Sequence, residues 1–409
     1  MNTPAAFPNP FRPGAGHMPP YLAGRENETR EFLKLLRQET ILENMVLTGL
    51  RGTGKTVLME TFRPLAIGRN WAWVGTDLSE SASLTEERLA IRLITDLSVH
   101  TASKVVHQEQ ILPMGFTGLP SIQSTTLDYH TLKAVFDQTP GLTSDKLRTV
   151  LELVWNHIGP SDAQGIVFAY DEAQNLADHS AKNEYPLSLL LDVFQSIQRK
   201  GIRFMLLLTG LPTLFPKLVE ARTYAERMFH VVALTQLDET ASGQAIEKPI
   251  ETAECPIQFT DEAIRTVIDV SGGYPYFIQF ICREVFDIYI SQIGKGLLPS
   301  VPVEEIVHKL DNDFFSGRWA RATDRQRDLL MAIAMLDNCD SEFTVQEVVE
   351  KAKEILANPF SSSHVNQMLT ALSKHGLVYK NRHGRYSFAV PLLGQYIRRV
   401  IRSSGSSSH

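Results

Sequence analysis

The sequence has few cysteines and no long apolar run, and both features narrow what the protein can be. The three cysteines, Cys255, Cys282 and Cys339, lie far apart and share no metal-ligand spacing, so we expect free thiols in a reducing cytosol. No stretch approaches the roughly 18 apolar residues that cross a bilayer, so no membrane partner is expected. The first 20 residues lack the basic start and apolar core of a secretion signal, which favours a cytoplasmic protein.

Acidic residues are absent from the C-terminal end of the chain. No Asp or Glu follows Glu354, whereas seven basic residues do. The whole 409-residue chain has a net charge of −6, so a charge of +7 at the end leaves −6 minus 7, or −13, on the rest. This polarity predicts an anionic partner for the basic end. The seven residues are Lys374, Lys380, Arg382, Arg385, Arg398, Arg399 and Arg402.

Apolar strand-like segments alternate with helical patterns in the first half of the chain, which is typical of a parallel sheet covered by helices. A segment rich in Gly, Pro, Ser and Thr, Met114–Thr126, interrupts the alternation and predicts a surface insertion. The predicted strands are Asn44–Leu50, Trp71–Thr76, Ile166–Tyr170, Phe204–Thr209 and His230–Leu234. The predicted domains are a flexible Pro-rich arm (1–20), an α/β core (21–237), a small helical lid (238–315), a winged helix (316–402) and a flexible tail (403–409).

The stretch GLRGTGKT, Gly49–Thr56, fits the phosphate-loop pattern G-x-x-x-x-G-K-[ST] and lies between a predicted strand and a predicted helix. Its glycines let the backbone turn its N–H groups inward onto phosphates, and the helix adds the positive end of its dipole. We expect Lys55 to reach the β- and γ-phosphates and Thr56 to ligate Mg²⁺. A glycine-rich turn without nucleotide is the competing interpretation, which this context disfavours. The predicted nucleotide contacts are Gly49, Leu50, Arg51, Gly52, Thr53, Gly54, Lys55, Thr56 and Val57.

A second pattern, IVFAYDE, places two acids directly after a buried strand. Strands of a parallel sheet present their carboxyl ends at the ligand edge, so Asp171 is predicted to hold Mg²⁺ through a water. Glu172 is predicted to polarise the attacking water as a general base. Two acids that merely end a strand are the competing interpretation. Beside a phosphate loop, the pattern favours a nucleotide site equipped for hydrolysis.

Two further groups are candidates for the same chemistry. Thr209 ends the strand FMLLLTG and is a candidate contact to the γ-phosphate or the attacking water, although a threonine that simply ends a strand fits equally well. Arg222 and Arg227 follow it, and either would serve as an arginine finger in a neighbouring copy, which would imply a homo-oligomer. An exposed helix arginine is the commoner case, and Arg227 is the preferred candidate.

These parts resemble an AAA+/STAND-type P-loop ATPase of the archaeal kind, related to the origin-recognition initiator ATPases. The segment LAGRENE, Leu22–Glu28, is similar to the h-G-R-E-x-E box of that group, and the order of motifs matches over roughly residues 20 to 315. The resemblance implies an ATP–Mg²⁺ site with backbone contacts from Tyr21 and Leu22 and a role for Arg25. It also implies that a lid proline, Pro275, packs on the nucleotide.

The lid motif departs from one branch of the group. Many initiator ATPases carry an arginine here that senses the γ-phosphate, whereas this sequence has GGYPYFIQ, with Pro275 and Tyr276 at that point. Arg283 lies two helical turns further on. The departure favours the STAND-like branch and slow hydrolysis, because a lid without that cation has less charge to stabilise the transition state.

The C-terminal region resembles a winged helix, with three predicted helices followed by a β-turn-β segment. Ser361 or Ser362 is predicted to cap the third helix, whose polar outer face would meet base edges. The predicted turn is Asn381–Gly384. The predicted contacts to double-stranded DNA are Lys374, Lys380, Arg382 and Arg385.

Two functions of different classes fit these predictions. In the first, an ATPase binds ATP–Mg²⁺ between core and lid, and its nucleotide state gates binding of the winged helix to DNA. In the second, a slowly hydrolysing STAND-like switch or scaffold docks a partner protein through the winged helix, in signalling or defence. The cluster of basic residues with no acid near it in sequence favours DNA.

Overall fold

The computed structural model describes residues 7–14, 16–111, 121–255, 257–295, 301–382 and 384–406. The chain divides into two compact units. The sheet unit comprises Glu26–Thr48 and Leu58–Ala233. The helical unit comprises Met1–Arg25, Gly49–Val57 and Leu234–His409.

The sheet unit is built on a five-stranded sheet with the order β2-β5-β6-β1-β7, in which the pairings of β2 with β5, β5 with β6 and β6 with β1 are parallel. The inner strands are buried along their whole length, as expected for a parallel sheet covered on both faces. The strands of the protein are β1 (Asn44–Gly49), β2 (Trp71–Val74), β3 (Val105–Ile111), β4 (Ser121–Thr126), β5 (Gly165–Tyr170), β6 (Phe204–Gly210), β7 (Phe229–Leu234), β8 (Phe343–Thr344), β9 (Val378–Arg382) and β10 (Arg385–Phe388).

The carboxyl ends of β1, β5 and β6 lie at one edge of this sheet. Thr48 is opposite Gly210, and Tyr170 is opposite Leu208. At the other end, the buried amide of Asn44 accepts a hydrogen bond from the Leu206 N–H at 2.7 Å. A buried polar group must find such partners, and this one fixes the start of β1 beside β6.

Helices cover the sheet and make up most of the helical unit. Among the described residues, no helix is both long and apolar enough to cross a membrane. The helices are α1 (Glu26–Leu35), α2 (Lys55–Ile67), α3 (Glu86–Thr101), α4 (Tyr129–Gln138), α5 (Thr143–Asp162), α6 (Pro186–Arg199), α7 (Leu214–Ala221), α8 (Ala225–Met228), α9 (Glu239–Thr252), α10 (Asp261–Ser271), α11 (Pro275–Gly294), α12 (Val303–Leu310), α13 (Gly317–Trp319), α14 (Asp324–Ala334), α15 (Val345–Ile355), α16 (Ser362–Lys374) and α17 (Leu393–Ser406). Short 3₁₀ turns span Ala173–Asn175 and Ser180–Lys182, and a π-helix spans Asp311–Ser316.

One apolar core runs through the helical unit, from the lid helices α9 to α12 into the C-terminal helices and the small sheet β8-β10-β9. Aromatic rings join the two parts: Phe315 is fully buried and stacks on Tyr396 with ring centroids 5.2 Å apart. Phe314 meets the Phe277 ring edge-on at 4.9 Å. The rings of Phe314 and Phe315 therefore pack between the lid and the C-terminal helices.

The structure differs from the sequence predictions at the expected insertion and at the C-terminal end. Residues 121–126, assigned to a surface insertion, form β4 and pair antiparallel with β3, while residues 112–120 lie outside the described part. The last helix, α17, was not predicted and runs to Ser406, beyond the expected domain end at 402. It buries Leu393, Tyr396 and Ile397 against the shared core, a pairing that no local pattern reveals.

The described part of the N-terminal arm is packed rather than flexible. Phe11 is 2% exposed and stacks on Phe259 with ring centroids 6.1 Å apart. The Asn9 side chain donates to the Arg283 carbonyl at 2.9 Å and to Asp287 at 2.8 Å. The arm thus lies along α11 inside the helical unit.

Candidate functional site

The phosphate loop Gly49–Thr56 leaves β1 and enters α2 as the motif predicts. Gly52 and Gly54 have φ angles of +83° and +88°, a region that favours glycine. A Cβ on Gly49 would come within 2.5 Å of the Leu234 carbonyl oxygen. The Lys55 Nζ donates to the carbonyls of Gly49 at 3.0 Å and Leu50 at 2.9 Å, which places its ammonium over the turn of the loop.

The loop is tied to the lid and to the GRExE box within the helical unit. The Tyr276 N–H, in the first turn of α11, donates to the Gly52 carbonyl at 3.2 Å. Pro275 is the first residue of that helix. Arg25 is 7% exposed and donates to the carbonyls of Thr53 at 3.2 Å and Thr235 at 2.8 Å. The box thus supports the loop backbone, a role that the sequence did not specify.

Tyr21 and Leu22 are half-buried. Tyr21 packs on the core of the helical unit. No contact described for either residue tests the nucleotide role that the resemblance implies, so that role stays a prediction.

One side chain of the loop lies near the winged-helix region. The Arg51 guanidinium lies 3.5 Å from the point where a Cβ on Gly376 would stand, just after α16, so the two residues are near neighbours. Gly376 has a φ of +67° and turns the chain at this place. Burial lowers the pKa of Arg318, between lid and winged helix, and the nearby Arg51 adds to the lowering. A side chain of the phosphate loop therefore reaches both following domains.

The acid pair lies in the sheet unit at the carboxyl end of β5. Asp171 is 3% exposed, and its Oδ1 accepts hydrogen bonds from the Glu172 N–H at 2.7 Å and from the Thr209 hydroxyl. Thr209 is fully buried. The structure thus brings Asp171 and Thr209 together on neighbouring strands and leaves Glu172 exposed beside them.

Gln174 is a neighbour of the acid pair that sequence reasoning missed. Its Nε2 donates to Glu172, and its Oε1 accepts from the Leu211 N–H at 3.1 Å. Lys217 donates its ammonium to the Gln174 carbonyl at 2.8 Å, and burial lowers the pKa of Lys217. The only sequence signal was a glutamine two residues after the DE pair.

The two candidate finger arginines have different surroundings. Arg222 makes a bidentate pair with Asp192, at 2.8 and 2.6 Å. Arg227 is exposed on the short helix α8. Arg222 is therefore engaged in an ion pair within the sheet unit, and Arg227 stays the preferred candidate for the arginine finger.

The third helix of the C-terminal domain, α16, has the two faces that the sequence predicted. Ser361 caps it by accepting from the His364 N–H at 3.3 Å. Its inner residues, from Val365 to Leu372, are buried in the shared core. Its outer residues are exposed and able to bond base edges or phosphates: Ser363, His364, Asn366, Gln367, Thr370 and Lys374.

The strands that follow α16 carry the predicted wing residues. Lys380 is exposed on β9, and Arg385 is half-buried at the start of β10. Arg382 ends β9, and its side chain lies outside the described part, as does His383. Burial raises the pKa of Glu347, but hydrogen bonds from Thr344 and, next in size, the charge of the nearby Arg385 lower it, and the net shift is downward. Acids that are distant in sequence thus approach the wing.

Two of the seven basic residues of the C-terminal end serve the fold. Arg398 donates to the carbonyls of Ala334 at 2.6 Å and Leu336 at 2.9 Å, at the end of α14. Arg399 makes a bidentate pair with Asp311, at 2.9 and 2.5 Å. The basic charge available to a partner is therefore smaller than the sequence count.

Comparisons with known proteins agree with this architecture. A family model described as a domain of unknown function (DUF8462) matches residues 312–397. An uncharacterized HTH-type transcriptional regulator of Methanocaldococcus jannaschii is 24% identical over 396 residues, which cover 92% of this chain and 88% of the relative. The ADP form of the Aeropyrum pernix ORC2 protein matches with a TM-score of 0.51 at 14% identity, over 96% of this chain and 97% of that one.

The chain therefore has a P-loop α/β fold, with a parallel sheet, a helical lid and a C-terminal winged helix. This confirms the fold class that the sequence motifs indicated. At 14% identity the likeness to ORC2 concerns the fold alone. The STAND-like branch and the role of each site residue stay predictions.

Proposed function

We propose that the protein is an ATP-binding and ATP-hydrolysing ATPase whose nucleotide state gates binding of its winged helix to double-stranded DNA. The observation that carries this proposal is the position of Arg51 in the phosphate loop, against Gly376 at the end of α16. A group that binds to the loop would therefore lie close to the winged helix.

The residues of the loop fit a triphosphate. A Cβ on Gly54 would meet open space, so lack of room does not explain the glycine. Its left-handed backbone conformation, with a φ of +88°, does. Such turns aim successive N–H groups at one point, and the start of α2 adds the positive end of a helix dipole. Lys55 adds a full positive charge over the same turn.

Thr56 and Asp171 would hold Mg²⁺, with the hydroxyl as a direct ligand and the carboxylate acting through a water. When bound, Mg²⁺ neutralises charge that develops on the phosphates. Glu172 would orient the attacking water and accept its proton. Thr209 keeps the Asp171 carboxylate in place through its hydroxyl. Arg227 would reach the site of a second copy, so that assembly stimulates hydrolysis.

The lid would carry the nucleotide state to the winged helix. Tyr276 links the loop to the start of α11, and Phe315 links the lid to α17 through Tyr396. One core joins these elements, so a shift of the loop moves packed side chains rather than a free tether. The name of the HTH-type relative agrees with a DNA-binding domain.

DNA retention at different salt concentrations tests the gating. We expect labelled duplex DNA to bind in the presence of ATP. If the protein contacts about four phosphates, raising the salt from about 50 to 200 mM should weaken the binding roughly 100-fold. The measurement is fluorescence anisotropy with ATP, with ADP and without nucleotide. Equal DNA affinity in all three states would contradict gating.

A second function is favoured by the acids beside the wing. The Asn381 side chain donates to Glu342, and Arg385 lies near Glu347, so part of the basic charge faces carboxylates of its own chain. In this alternative the protein is a slowly hydrolysing switch that docks a partner protein through the winged helix. No ATP turnover with or without DNA, together with no DNA retention, would favour it.

A further inference from the structure

We infer that Gln174 is a positioning residue that holds the carboxylate of Glu172 and couples it to the turn after β6. The inference rests on the proposed function, because Glu172 acts as a base only if the protein hydrolyses ATP. It adds a residue that neither the motifs nor the comparisons assign.

Glu172 is held in an unusual backbone conformation. Its φ is +52°, a region that a glutamate occupies only when its surroundings favour it. One such contact is the hydrogen bond from its N–H to Asp171. The Glu172 side chain is exposed, and its Oε2 accepts from the Gln174 amide. Within the part of the chain that the structure describes, the Gln174 amide is the side chain that holds the exposed Glu172 carboxylate.

The orientation of the Gln174 amide follows from its partners. The Leu211 N–H can only donate, so the atom that faces it at 3.1 Å must be the carbonyl Oε1 of Gln174. The NH₂ group then faces Glu172, whose ionised carboxylate can only accept. Both ends of the amide are matched, so Gln174 has one orientation that satisfies both neighbours.

Two further contacts fix Gln174 in place. Lys217, in α7, donates to its main-chain carbonyl at 2.8 Å. Gly210 leaves room for the Gln174 side chain, because a Cβ on Gly210 would lie 2.6 Å from the Gln174 Oε1. This contact explains why β6 ends in Thr-Gly: Thr209 bonds Asp171, and Gly210 leaves room for the residue that bonds Glu172.

The chemical consequence concerns turnover more than binding. A general base must hold its carboxylate toward the attacking water, and a misplaced base lowers kcat without changing how the nucleotide binds. The contacts described for Gln174 all lie within the sheet unit, and the described loop contacts of Lys55 do not involve it.

Three variants of the full-length protein test the inference. Gln174→Ala removes both amide contacts, whereas Gln174→Glu keeps an oxygen for the Leu211 N–H and removes the donor to Glu172. We expect both to lower kcat about ten-fold while KM for ATP stays within about two-fold. In the Glu172→Gln background, Gln174→Ala should cause no further loss, because both changes act through one group.

Hydrogen exchange provides a readout that does not depend on activity. Without nucleotide, Gln174→Ala should speed exchange of the Leu211 amide, whereas Gln174→Glu should preserve its protection. The matched control is Gln346→Glu, since Gln346 donates to Glu350 at 2.9 Å on the surface of α15. We expect this control to leave kcat and the exchange of Leu211 unchanged.

The outcomes separate this inference from the proposed function. If the wild-type protein turns over ATP and Gln174→Glu retains full kcat, Gln174 only supports the turn and the inference is overturned. An equal loss from Gln174→Ala in the Glu172→Gln background would overturn it as well. If the wild-type protein shows no turnover with or without DNA, proposed hydrolysis and inference fail together.

Discussion

The sheet unit and the helical unit hold their candidate chemistry in different ways. In the sheet unit, Asp171 and Thr209 are buried at the ends of paired strands and bond each other. In the helical unit, the phosphate loop accepts a hydrogen bond from Tyr276 at the start of α11, and its Arg51 lies near the turn after α16. The comparison shows that Asp171 and Thr209 are held by paired strands. The phosphate loop, in contrast, lies against the lid and near the winged helix, the domains that we expect to respond to nucleotide.

Lys55→Ala tests the binding side of this comparison and should have the largest effect. It removes the ammonium that lies over the loop, and we expect ATP affinity to fall roughly 100-fold or more, which is about 3 kcal/mol. Titration with a fluorescent ATP analogue measures it. Lys248→Ala is the control, because that lysine pairs with Glu251 on the exposed surface of α9. Undiminished ATP binding by Lys55→Ala would contradict the loop's role.

Glu172→Gln tests the chemical side. We expect ATP affinity to stay near that of the wild-type protein, whereas kcat falls roughly 100-fold because the base is lost. A coupled phosphate-release assay beside the same ATP titration shows whether binding and turnover separate. If ATP affinity fell as far as for Lys55→Ala, the division of roles between the two units would be wrong.

Phe11→Ala tests whether the arm is part of the helical unit. The ring is 2% exposed against Phe259 and Phe286, and its removal should lower the free energy of unfolding by about 2 kcal/mol. This is less than for a central core phenylalanine, because the arm can settle into the gap. Urea denaturation measures the change. Pro8→Ala, at an exposed position of the arm, is the control and should change stability little.

Arg399→Ala separates basic residues that serve the fold from those available to a partner. It breaks the bidentate pair with Asp311, and we expect a loss of about 1 kcal/mol in the free energy of unfolding. Asp311→Ala and the double variant complete a thermodynamic cycle for this pair. Additive losses in that cycle would show that the pair contributes nothing of its own.

Lys380→Ala should have the smallest effect, and unlike Arg399→Ala it should change DNA binding rather than stability. This lysine is exposed on β9, so stability should not change, while DNA affinity falls roughly three-fold. The slope of log affinity against log salt should become shallower by about 1, since one phosphate contact is lost. An unchanged slope would show that β9 does not meet the DNA backbone.

The sequence was most informative where a single segment determines its own structure. The five core strands lie within two residues of their predicted ends, because continuous apolar runs specify buried strands. The polar outer face of α16 was predicted, as was a cap at Ser361 or Ser362, of which the structure has Ser361. The phosphate loop was readable because its glycines and Lys55 are contiguous.

Features that depend on residues distant in the chain could not be predicted from the sequence. The strands β3 and β4 mix a few apolar residues with polar ones and contain no continuous apolar run, so no strong local signal predicted their pairing. Arg399 looked like free charge because Asp311 lies 88 positions earlier in the chain. Gln174 looked like an ordinary loop residue, since its partner Leu211 follows the next strand of the sheet.

The chain passes from α12 through the π-helix Asp311–Ser316 into α13 without a loop. Each α-helical residue turns the chain by about 100° and advances it by about 1.5 Å. The number of residues in this rod therefore sets the direction in which the chain leaves α13 for the turn before α14. Deleting one residue from the rod would rotate Trp319 relative to α12 by roughly 100°, so the length of this segment matters as well as its side chains.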